Sequence, residues 1–291
     1  MSEHDSVDHG AYTSLVEADD DARWAFGTSF DDPLAGVDTT VPSGVDAADL
    51  ARYCLMLADD ALVLAQRLAE WTTHAPELEE EVALANIGLD LLGQARLLLA
   101  RAAAADPSAV PPLPEDSPVP ADDRLAYFRD ADAFLNVHLV EQPRGDFAAT
   151  MARLLVFSTW RLALLERLRS SPDPVLAAVA EKGVKEVRYH REHAARWCIT
   201  LAQGTDVSRE RMIAGLDTVW PDVAELRGTN PPDAHDEAMR VVDQVLDAAG
   251  LDRPAIPSAD GRGRDGIHTE SFPALLDEMQ GLAREHPMGR W

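Results

Sequence analysis

Lysine is almost missing from this sequence: of its 26 basic residues, only Lys182 and Lys185 are lysines. Cysteine is scarce, and Cys54 and Cys198 lie too far apart to suggest a disulfide framework or a cysteine-based zinc knuckle. The N-terminus is acidic and lacks the apolar stretch of a signal peptide. No apolar run reaches membrane-spanning length. No basic stripe is interleaved with aromatics, which make up 6% of the chain. The 51 acidic residues give a net charge of −25, a field that repels phosphates. These absences argue against a secreted, membrane or nucleic-acid-binding protein and for a cytoplasmic one. What is present is 291 residues, 46% hydrophobic, enough for a large core without staples. An acidic, lysine-poor surface stays hydrated where salt screens its self-repulsion. The composition therefore suits a salt-rich, halophile-like cytoplasm, with an acidic protein of ordinary cytoplasm as the alternative.

Residues 1–45 read as an acidic, flexible extension broken by Pro33, Pro42 and Gly44, with Trp24, Phe26 and Phe30 as a cluster able to dock. Residues 46–291 read as one helical domain. Leu50, Cys54, Leu57, Ala61, Leu64, Leu68 and Trp71 recur at three- and four-residue steps, the spacing of one helix face. Leu55, Met56, Leu62 and Val63 make a second face apolar, so this helix is central or covered by a partner. A second helix from about Glu77 to Ala105 carries the stripe Leu78, Val82, Ala85, Leu89, Leu92 and Leu99. The proline-rich stretch 106–120 reads as an extended connection. Further helices are expected over about 122–141, 146–169, 174–202, 207–226, 232–249 and 272–285. Asp173 is placed to cap the one that opens with Pro174. No period-two run calls for a strand. Two helix pairs joined by a long crossover, with extra C-terminal helices, match an all-α, ferritin-like four-helix bundle.

Such bundles often hold a di-iron site built on Glu-x-x-His pairs, because residues three apart share a helix face. No glutamate here has a histidine three residues later. The positions left look like a degenerate site: Asp59 and Asp90, then Gly93, Ser158, Glu186 and Tyr189. Hydrogen-bonded or paired polar groups are the plainer account of its carboxylates, because buried charges must find partners. Lys182 and Lys185 flank Glu186, and a compact ammonium is a candidate replacement for the metal's charge, paired with Asp59, Asp90 or Glu186. An exposed Glu–Lys surface pair is the alternative. His190 and His193 alone are too few for a typical metal site. Gly261-Arg-Gly-Arg-Asp-Gly266 matches G-x-G-x-x-G formally but follows no strand, so it is no dinucleotide fingerprint. Arg262 and Arg264 are candidates for receiving a phosphate, against a solvated loop.

Three stretches stand out: His74-Ala-Pro-Glu-Leu78, Ala85-Asn-Ile-Gly-Leu-Asp-Leu-Leu-Gly-Gln-Ala-Arg96 and Leu139-Val-Glu-Gln-Pro143 with Gly145 and Phe147. With Lys185-Glu-x-Arg-Tyr-His190, Gly204-Thr-Asp-Val-Ser208, His268-Thr-Glu270, Glu278-Met-Gln280 and Trp291 they resemble, over about residues 50–291, the C subunits of ring 1,2-phenylacetyl-CoA epoxidases. The resemblance implies a subunit without catalytic residues or metal of its own, in a monooxygenase complex for aerobic phenylacetate breakdown, with Arg262 and Arg264 as candidates for a contact to the coenzyme A phosphate. The partner implied is a paralogous catalytic A subunit that holds the di-iron centre, with further small subunits and a reductase. The rival readings are a divergent di-iron oxygenase using Asp59, Asp90, Glu186 and His190 or His193, or an iron-binding ferritin-like protein acting alone.

Overall fold

The computed structural model describes residues 34 and 36–289. The chain divides into two units, 1–36 and 37–291, and the second holds all the helices described. Most of the expected acidic extension, with Trp24, Phe26 and Phe30, lies outside the described residues, as does Trp291.

The described residues are helical, with no strand among them. Helix α1 spans Ala47–Ala69 and starts where the Asp46 carboxylate accepts the Asp49 N–H at 2.9 Å. It is buried nearly all round, as its two apolar faces require. Helix α2 spans Leu78–Ala105, with Glu79, Glu80 and Glu81 in its first turn, where the helix dipole favours negative charge.

The region expected to be one helix over 122–141 is broken into α3 (Ala121–Tyr127), a 3₁₀ turn (Ala131–Ala133) and the single turn α4 (His138–Glu141). The cause lies in α1. Asp59 accepts the N–H of Leu135 at 2.9 Å and Asp60 that of Val137 at 3.0 Å. Two buried carboxylates thus take donors a helix would have used, and the chain passes them extended.

Helix α5 (Phe147–Leu168) is capped by Asp146, and α6 (Pro174–Gln203) by Asp173, which accepts from Leu176 N at 2.8 Å. Helix α7 (Asp206–Val219) opens with a Thr205–Ser208 capping box. The helix expected to run on to Leu226 becomes a 3₁₀ segment, Trp220–Gly228, where Pro221 removes a backbone donor. Helices α8 (Asp233–Ala249) and α9 (Phe272–Glu285) follow, α8 ending at Gly250 in the left-handed region (φ +65°).

Helix α1 packs along α2 and α5 along α6; α2 also meets α6, and α7 and α8 cover α5. Helices α2 and α5 are long and apolar enough, by length and composition, to cross a membrane, contrary to the expectation that no run reaches that length. The apolar window of α5 is 94% buried within the protein, that of α2 only 39%.

Candidate functional site

The interior of α1 carries two adjacent carboxylates, Asp59 and Asp60, both fully buried. Arg129 grips Asp59 with both terminal nitrogens, one to Oδ2 at 3.0 Å and one to Oδ1. Its remaining donors go to the carbonyls of Leu125 and Ala133. Asp60 is held by Arg264 through Oδ1 at 3.0 Å and Oδ2 at 2.7 Å. Burial pushes the Asp60 carboxyl up, while Arg264, Arg161 and the Val137 N–H pull it back. A third buried carboxylate, Glu141, accepts from Asn136 Nδ2 at 2.8 Å and from Thr269 N at 2.7 Å, and sits 2.6 Å from His268 Nδ1.

Between α2, α5 and α6 runs a second polar chain. Arg161, fully buried, donates to the Leu57 carbonyl at 2.8 Å and to Gln94 Oε1 at 3.1 Å. Burial pulls its guanidinium down to about 10. Gln94 Nε2 donates to Glu186 Oε2 at 2.9 Å, and Lys182 pairs with the other Glu186 oxygen. Further along the α2–α6 contact His190 Nε2 meets Asp90 Oδ2 at 3.0 Å. His193 Nε2 and Glu80 Oε2 face each other at 3.2 Å without hydrogen-bond geometry.

The proposed degenerate site is therefore not one site. Asp59 belongs to Arg129, Asp90 to His190, and Glu186 to Gln94 and Lys182. Ser158 bonds back to the Leu154 carbonyl of its own helix at 2.6 Å. Gly93 is half-buried with open space where a Cβ would stand, and Tyr189 is exposed. Lys185 is exposed, and Lys182 is a half-buried partner to Glu186 on the same helix. The cations that neutralise the buried α1 carboxylates are arginines, whose fork satisfies both oxygens at once.

The Gly261–Gly266 loop also changes meaning. Arg264 points inward and all its donors are taken: Thr229 Oγ1, the Met56 and Leu135 carbonyls, and both Asp60 oxygens. It is not available to a phosphate. Arg262 remains exposed, 3.4 Å from Asp265. The glycines are needed because the loop lies against backbone. A Cβ on Gly263 would stand 1.9 Å from the Asn136 carbonyl, and one on Gly266 (φ +75°) 2.2 Å from that of Asp132. Glu225 completes the anchorage, accepting Gly263 N at 2.8 Å and His138 N at 2.7 Å.

Sequence reasoning missed Asp60, Glu141, Arg129, Arg161 and Gln94. An Asp-Asp pair inside an otherwise apolar helix was the signal that pointed to buried counter-charges. The arrangement is poor in chemistry. Among the described residues no group of three or more His, Cys, Asp or Glu side chains is placed to hold a metal ion. Asp59, Asp90 and Glu186 each have a partner in this chain: Arg129, His190, and Gln94 with Lys182. Burial pushes the Cys54 and Cys198 thiols up to about 12, which rules out an activated thiolate.

Among the described residues the protein is of the all-α class, with the buried α1 carboxylates tied to arginines. The model of the family described as phenylacetic acid catabolic protein matches residues 37–291, and the chain belongs to that family. It is 41% identical over 256 residues to the C subunit of 1,2-phenylacetyl-CoA epoxidase from Escherichia coli (strain K12), covering 83% of this chain and 99% of that protein.

Proposed function

We propose that this chain is the non-catalytic structural subunit of a multicomponent phenylacetyl-CoA 1,2-epoxidase in aerobic phenylacetate breakdown. In this reading α1, α2, α5 and α6 form a ferritin-like four-helix bundle, the segment 106–146 is its crossover, and α7–α9 are additions. The acidic extension, residues 1–45, lies outside the bundle domain of 46–291. The complex is cytoplasmic. Its di-iron cofactor sits in a paralogous catalytic A subunit, which this chain stabilises, and smaller subunits and a reductase supply the rest. A partner that binds only the folded catalytic subunit raises its stability by mass action.

The observation that carries the reading is that Asp59, Asp60, Glu141 and Glu186 are each engaged through both oxygens by this chain's own donors. To take a metal, each would have to give up bonds it already makes. The test is iron content per chain after anaerobic Fe(II) loading in high-salt buffer and desalting, with the catalytic subunit loaded in parallel. The expected result is iron in the catalytic subunit alone, and a higher melting temperature for that subunit when this chain is added. About two irons per copy of this chain would overturn the reading and restore the divergent oxygenase.

A further inference from the structure

Helices α5, α6 and α8 leave a cavity of about 150 Å³ between them. Each helix lines it with residues three, four or seven apart, which share a helix face. Thr159, Leu162 and Glu166 come from α5, Arg188 and Arg191 from α6, and Glu237 and Val241 from α8.

The polar groups of this cavity are unevenly committed. Glu166 is held through both oxygens, by Arg169 and by Arg188, at 3.0 Å each. Glu237 accepts from Arg167 at 2.9 Å. Arg191, half-buried, makes no hydrogen bond or ion pair with any described residue. Thr159 is 2% exposed, and its hydroxyl has no partner. The hydroxyl of Ser158, one residue earlier, returns to a carbonyl of its own helix, whereas that of Thr159 does not. A buried hydroxyl without a hydrogen bond is costly, and a ligand that accepts from it removes the cost.

The uncommitted groups are thus a guanidinium and a hydroxyl, both able to donate, and together they fit an oxyanion. The guanidinium fork matches a carboxylate with two parallel bonds. A dianion such as phosphate would bring a second negative charge up to Glu166 and Glu237, and would set polar oxygen against Leu162 and Val241. A monocarboxylate with a short apolar tail brings one charge to Arg191 and lays its tail on those two side chains. The space bounds the tail, since a cavity of this size takes a molecule of about six heavy atoms.

We infer that this cavity binds a small aliphatic monocarboxylate, with Arg191 on the carboxylate, the Thr159 hydroxyl as a second donor, and Leu162 and Val241 against the tail. The inference is independent of the structural-subunit reading.

Equilibrium dialysis of the full chain against radiolabelled butyrate, at an ionic strength held constant with chloride, tests the site. The expected result is one butyrate per chain with a Kd of about 1 mM. Arg191→Met should weaken binding at least about 10-fold. Thr159→Val, which keeps the shape and removes the hydroxyl, should weaken it about 3-fold. Both variants should keep the far-ultraviolet circular dichroism of the parent. Acetate, with most of the tail removed, should bind more weakly than butyrate, and inorganic phosphate should not compete. No saturable binding up to about 50 mM overturns the inference, as does binding indifferent to Arg191→Met. If phosphate competes as well as unlabelled butyrate, the cavity takes oxyanions without using its apolar wall, and the monocarboxylate assignment falls.

Discussion

Helices α1 and α2 lie side by side and break the usual distribution of polarity in opposite ways. α1 buries two carboxylates completely, while α2 exposes four large aliphatic side chains. Each buried charge on α1 has its partner within the chain, down to the backbone N–H groups of Leu135 and Val137. The exposed leucines of α2 have none. A satisfied oddity is architecture, whereas an unsatisfied one calls for another molecule. The buried acids of α1 therefore explain how the chain folds around itself, while the outer face of α2 takes no part in that folding.

The largest effect should come from breaking a pair inside α1. Arg129→Met leaves Asp59 buried without its guanidinium, and the loss should be about 3–5 kcal/mol in chemical denaturation. Asp59→Leu combined with Arg129→Met should recover most of it, since a packed apolar pair avoids the desolvation of both ions. A variant as stable as the parent would mean the carboxylate is not locked and would reopen its availability to a ligand. Adjacent leucines on α2 sharpen the contrast next. Leu91, with no exposure, should cost about 3 kcal/mol when changed to Ala. Leu92→Ala, at a position 41% exposed, should stay within about 0.5 kcal/mol of the parent. Equal losses would place the outer stripe inside after all.

That pair of leucines also shows how far the sequence could be read. Periodicity located α1, α2, α5 and α6, and Asp173 before Pro174 gave the cap of α6, because three- and four-residue spacing and Asp-Pro at a helix start are local signals. It could not tell which of two leucine-rich faces of α2 turns inward. That depends on α1 and α6, which lie elsewhere in the chain. The charged interior was hidden for the same reason: Arg129 is 70 residues from Asp59, and Arg264 is 204 from Asp60. Nothing local distinguishes these arginines from the others. The absence of Glu-x-x-His was visible, since it is a spacing. The arginines that neutralise Asp59 and Asp60 were not, and the lysine candidates drew attention because they are rare, not because of where they sit.

A smaller loss is expected where the Gly261–Gly266 loop closes over α1. Gly266→Ala forces a side chain into the left-handed region and toward the Asp132 carbonyl, and should cost about 2 kcal/mol. The loop carries Arg264 to Asp60, so hydrogen exchange at Val137 should quicken in the variant while the amides of α6 keep their protection. Uniform quickening across both would show that the loop is not a local clasp.

The smallest effect separates the two kinds of pair by pH. Burial, with Arg196 and His190 nearby, holds the His193 imidazole below its ordinary 6.5. The folded state therefore binds fewer protons there than the unfolded chain as pH falls through 6.5. By linkage, stability contributed by the neutral imidazole is present above 6.5 and lost below it. Glu80 opposite is raised, chiefly by burial, with a hydrogen bond from Trp197 pulling it back and Glu77 and Glu79 adding to the rise. His193→Gln should flatten the fall in stability that the parent shows as pH drops below 6.5, read as chemical-denaturation midpoints across that range. If the parent instead grows more stable on acidification through this range and the variant does not, the imidazole is charged against Glu80. The α2–α6 contact would then be locked as firmly as the interior of α1.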